Sequence, residues 1–136
     1  MTTFHAVVWM DHTQAHVLMF DREHVEAQRI KARTQHTPKH GHVGADKAFF
    51  EEVAQALQGV SEVLVTGPAN AKIEFRDFCK HHAHAVDKAI VDVVSSDHPT
   101  DAQLVAMARQ YFLKYDQKAA DTSSADGIQA ALSSGA

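Results

Sequence analysis

The chain has 136 residues, 45% of them hydrophobic and 22% charged, a balance typical of folded domains and outside the polar, highly charged range of disordered chains. Its formal charge of -4 argues against a surface coated in positive charge, while leaving room for a local basic patch. The single cysteine, Cys79, excludes an internal disulfide, and no apolar run approaches the roughly 18 residues of a membrane span.

Met1-Thr2-Thr3-Phe4-His5 has neither the basic start nor the long apolar run of a secretory signal, so a cytoplasmic protein with no membrane partner is expected. Phe4 to Met10 and Gln14 to Phe20 are rich in strand-forming residues and are separated only by Asp11-His12-Thr13, the spacing of a hairpin. After a second turn at Asp21-Arg22-Glu23, His24 to Lys31 mixes polar and apolar residues as an exposed or edge strand does. Residues Arg33 to Gly44 contain Pro38, Gly41 and Gly44 without apolar periodicity. They form a loop long enough to suggest function.

Phe49, Phe50, Val53, Ala54 and Leu57 recur at helical spacing, with Gly59 as the stop. Val63-Leu64-Val65 reads as a buried strand running into the Thr66-Gly67-Pro68 turn. A second helix follows to about His82, with Asn70 as its cap, Glu74 near its positive end, and Ile73, Phe78 and Cys79 toward the core. Ala89 to Val94 is the fifth strand. Thr100-Asp101-Ala102-Gln103 then has the form of a capping box before a stripe of Leu104, Val105, Ala108, Tyr111, Phe112 and Tyr115. Beyond about Ala119 only Ile128 and Leu132 are sizeable apolar residues. The expected organisation is one module over residues 1–118 and a flexible tail over 119–136.

The order β-β-β-α-β-α-β-α implies an α/β fold with a mixed five-stranded sheet and flanking helices, the arrangement of ribonuclease H-like domains. A metal-dependent nuclease on such a fold needs several converging carboxylates. Asp11 and Glu51 or Glu52 supply two at most, and the fourth strand ends in Thr66-Gly67-Pro68 without a third. Asp11 and Asp21 read instead as turn residues, and no nucleophile with a paired base is apparent. Cys79 falls on the core side of its helix, where an inert thiol is expected.

Lys39-His40-Gly41-His42-Val43-Gly44-Ala45-Asp46 resembles the Lys-His-Gly-x-Gly-Gly-Gln-Ser loop of eukaryotic and archaeal class I release factors. Val63 to Phe75, with its Gly67-Pro68 turn and Lys72 at the helix start, resembles the corresponding stretch of the Pelota and release-factor middle domain. With strand order, the resemblance covers roughly residues 4 to 117. It implies a translation-associated role, in stalling, recycling or dormancy, with the ribosome, transfer RNA or ribosomal RNA as partner. The Gly-Gly-Gln tripeptide through which release factors assist peptidyl-tRNA hydrolysis is replaced by Val43-Gly44-Ala45, so binding without hydrolysis is expected, and no cofactor.

Arg29, Lys31, Arg33, Lys39 and Lys47 cluster around the long loop, with His36, His40 and His42 able to add charge. The RNA-contact candidates are Arg33, Lys39, His40, His42, Lys47 and Lys72. His36, His40 and His42, or His81, His82 and His84, are weaker candidates for a metal, since neither spacing matches a closed zinc site. Two other readings stand beside RNA binding: an oligomeric scaffold, with a homo-oligomer as partner, and the divalent-metal nuclease.

Overall fold

The computed structural model describes residues 5–32 and 47–114. The element order is β1 (His5–Met10), β2 (Gln14–Phe20), β3 (Val25–Lys31), α1 (Lys47–Ala56), β4 (Glu62–Gly67), α2 (Ala71–His82), α3 (His84–Ala89) and β5 (Ile90–Ser95), followed by α4 over residues 101–114. The chain divides into two compact units, Met1–Val105 and Ala106–Ala136. The first contains the whole sheet. In the second, residues 106–114 are helical, with Ala108 and Phe112 buried. The loop expected over Arg33 to Gly44 and the tail expected over 119–136 lie outside the described residues.

The five strands form one sheet in the order β3-β2-β1-β4-β5. β1 pairs antiparallel with β2 and β2 with β3, while β1 and β4, and β4 and β5, run parallel. This position in the sheet accounts for burial. β1 and β4 are interior strands covered on both faces, so each is a continuous buried run, as parallel strands are. β3 is an edge, and Ile30 alone of its seven residues is buried.

One sheet face carries Ala6, Val8, Met10, Ala15, Val17, Ile30, Val63 and Val65, packed with Phe49, Phe50 and Val53 of α1 and Phe75 and Cys79 of α2. Phe50 joins the two helices, its ring 5.8 Å from Phe75 and 5.7 Å from Phe78. The cross-strand pairing places Val7, Trp9, His16, Leu18, Leu64 and Thr66 together on the opposite face.

The helix signals fare unequally. Gly59 ends α1 with φ +85, and the Thr100 capping box is complete: Thr100 N–H donates to Gln103 Oε1 at 2.9 Å and Gln103 N–H to Thr100 Oγ1 at 3.1 Å. Asn70 is a correction. Its side chain makes no cap hydrogen bond, and only its backbone carbonyl serves the helix, accepting from the N–H groups of Ile73 and Glu74. Ile73, expected inside, is 56% exposed, because Ala71, Phe75 and Cys79 take the inward positions. The six-residue α3 was not foreseen; its sequence is too short to display a helical period.

Candidate functional site

β1, β3, β4 and β5 all point the same way, so one end of the sheet collects four strand C-termini and the β1–β2 turn. In open α/β sheets that end is where ligands bind. Asp11 builds the turn there: its Oδ1 accepts from Thr13 N–H at 2.8 Å, Thr13 Oγ1 at 2.8 Å and Gln14 N–H at 3.0 Å. Ala32 N–H donates to Thr13 O at 2.8 Å, fixing at this end the point where the chain continues into residues 33–46. His12 Nε2 reaches Glu74 Oε1 at 3.1 Å, tying the turn to the start of α2.

Gly67 closes the end of β4 at φ +152, so near β1 that a Cβ there would lie 2.1 Å from the Met10 carbonyl oxygen. Beside it, Thr66 Oγ1 donates to Ser96 Oγ at 2.9 Å and Ser96 N–H to Gly67 O at 3.0 Å. The β5–α4 connection is thereby held across the strand ends.

On the face away from α1 and α2, strand register aligns Arg29, His16, Trp9 and Thr66 in one row across four strands. The connection into α4 meets this row. Trp9 Nε1–H donates to Asp97 O at 2.6 Å, and the Trp9 ring lies 5.4 Å from His16 and 4.9 Å from His98. Asp101, the first residue of α4, faces an imidazole and a guanidinium: Oδ1 lies 3.3 Å from His16 Nδ1 and Oδ2 lies 3.8 Å from Arg29 Nη2. His16 Nε2 is buried with no hydrogen-bond partner among the described residues. The register of the β1–β2 hairpin puts Trp9 and His16 on a common face, a pairing that the sequence reading did not draw.

Of the expected RNA contacts, Arg33, Lys39, His40 and His42 lie outside the described residues, as does His36. Lys47 is exposed as the first residue of α1. Lys72 is 5% exposed, with its Nζ donating to the Ala69 carbonyl; its ammonium is turned into the Pro68–Asn70 turn and withdrawn from the surface. His81, His82 and His84 are exposed near the α2–α3 junction, and among the described residues no group of three or more His, Cys, Asp or Glu is placed to hold a metal ion. Burial, with the Asp87 charge adding to it, pushes the Cys79 thiol up to about 12, which leaves it protonated and unreactive. No described helix is long and apolar enough to cross a membrane.

These features define an α/β domain whose mixed sheet gathers four strand ends and the starts of two helices at one end. Solved structures share that fold. Pelota of Archaeoglobus fulgidus matches with a TM-score of 0.60 and 18% identity over 92% of this chain and 39% of its own. The archaeal translation termination factor aRF1 matches at 0.55 and 14% over 90% of this chain and 42% of its own. Saccharomyces cerevisiae Dom34, a translation termination-like factor of RNA quality control that interacts with Hbs1, matches at 0.55 and 11% over 89% of this chain and 38% of its own. The chain spans about two-fifths of the length of each of these neighbours. No protein-family model and no curated protein matches it. The resemblance read from the loop and turn motifs is thus met at the level of the fold.

Proposed function

We propose that this chain is a ribonuclease H-like, translation-associated cytoplasmic module. It binds ribosomal or transfer RNA at the sheet end from which residues 33–46 continue and does not hydrolyse peptidyl-tRNA. The observation that carries the reading is the fold shared with an archaeal translation termination factor, a translation termination-like factor and a Pelota protein. Arg33, Lys39, His40, His42 and Lys47 are the contacts we assign to RNA phosphates. Val43-Gly44-Ala45, in the place where the resembling loop has Gly-Gly-Gln, is the reason to assign binding alone.

Phosphate contacts release counterions, so the interaction weakens steeply with salt. The protein should co-sediment with ribosomes at low salt and leave them as salt is raised. Replacing Arg33, Lys39, His40 and His42 together with Ala should abolish co-sedimentation; retention of the variant on ribosomes at low salt would remove this surface from consideration.

A further inference from the structure

Asp101 is shared. Its two oxygens face His16 of β2 and Arg29 of β3, which are direct cross-strand partners on the same sheet face. His16 is mostly enclosed, with 18% of its side chain exposed, whereas Arg29 is 61% exposed. The charged groups that meet His16 are therefore Asp101 from the start of α4 and Arg29 from β3; His98 and the Asp97 backbone lie one ring away, across Trp9.

With a neutral imidazole, the Asp101 carboxylate holds a full negative charge for Arg29. A proton on His16 places a second cation against the same carboxylate and a like charge directly opposite Arg29, and like charges in cross-strand register repel. The enclosed imidazole keeps its place. The exposed guanidinium, on a long flexible stem, is the partner that yields.

We propose that His16, Asp101 and Arg29 form a proton-operated release of Arg29: mild acidification turns the guanidinium from Asp101 toward solvent, where it takes a phosphodiester of bound RNA. The ligand rests on the RNA-binding reading above; the release does not. Two readouts on the full chain separate them. The first follows the Arg29 Nε–Hε resonance by NMR from about pH 7.5 to 5.5, in wild type and in His16→Gln. The second follows the affinity for a fluorescein-labelled single-stranded RNA 12-mer by anisotropy at constant ionic strength.

The Arg29 resonance should shift with pH in wild type and stay still in His16→Gln. RNA affinity should rise about three- to tenfold on acidification, the scale of one or two exposed charge contacts. Asp101→Asn, which frees Arg29 at every pH, should already bind RNA more tightly than wild type at pH 7.5, and in a His40→Gln, His42→Gln background, where the loop histidines add no charge, Arg29→Gln should lose the increment. An Arg29 resonance that titrates identically in wild type and His16→Gln overturns the release. A normal release without any change in RNA affinity overturns the phosphodiester as its ligand, and failure of wild type to bind RNA at either pH overturns the RNA-binding reading itself. Near-native Trp9 fluorescence in each variant confirms that the row is intact.

Discussion

Gly67→Ala is the sharpest test of how the strand ends are held. A Cβ at Gly67 would lie 2.1 Å from the Met10 carbonyl oxygen, where about 3.0 Å is the practical limit, so β4 and β1 must part by about 0.9 Å. No rotamer change relieves this, because the obstacle is backbone of a fully buried interior strand. The φ of +152 is a further strain for an L-residue, worth about 1–3 kcal/mol, and forced overpacking adds about 1–3 kcal/mol. The expected loss of about 3–5 kcal/mol is a large part of the about 5–15 kcal/mol that a domain has. Urea unfolding followed by the fluorescence of Trp9, the only tryptophan, reads it directly. Gly59→Ala is the control: φ is +85 but nothing lies within 4 Å of the new Cβ, so only about 1 kcal/mol of backbone strain is expected. If Gly67→Ala costs no more than Gly59→Ala, the close approach of β4 to β1 is not what the geometry implies.

Thr100→Ala breaks a complete capping box and should lower stability by about 1 kcal/mol, measured by the same urea titration. Cys79, whose thiol burial raises to about 12, should resist Ellman's reagent in the native protein at about pH 8 and react only as fast as the chain opens. Asp21 is held below its ordinary value of 3.8 by the backbone N–H groups of Glu23 and His24. Its stabilising contribution is therefore present above 3.8 and lost as pH falls through the lower folded-state value, and an acid titration of Asp21→Asn should lack that component. Lys72→Met keeps the buried stem and loses the bond to the Ala69 carbonyl, so it should cost about 1 kcal/mol of stability and leave ribosome co-sedimentation unchanged.

The hairpin, the buried fourth strand and the capped last helix were legible because each is written in neighbouring residues: Asp11 and Asp21 as side chains that fold back on their own turns, and Thr100 with Gln103 as a reciprocal pair. Ile73 was expected inside and Lys72 is the one of the two that is buried, for a common reason. Both occupy the first turn of α2, where a rotation of about 100° per residue decides which side faces inward, and the packing of Phe75 and Cys79 against α1 and the sheet sets that rotation. The Trp9, His16 and Asp101 cluster had no local signature. Trp9 and Asp97 are 88 positions apart, and only the return of the chain over the strand ends after β5 brings them together.

That return also bears on how the proposed phosphate contacts would fit a chain of net charge -4. Three of the carboxylates gathered there have partners, Asp11 in the amides and hydroxyl of its own turn, Glu74 in His12, and Asp101 in His16 and Arg29, while Asp97 is exposed beside them. Against them stand the N-termini of α2 and α4, each carrying the positive end of a helix dipole, and the exposed Lys31 at the end of β3. Potential at a surface depends on which charges are locally matched, not on the total. On the proposed reading, the acidic balance of the whole chain would limit nonspecific adhesion to nucleic acid, and the matched carboxylates would leave attraction for phosphate where the strands finish. On this view Asp101 is the point at which the two tendencies meet, since the same carboxylate that lowers the potential near Arg29 is the one a proton on His16 would neutralise.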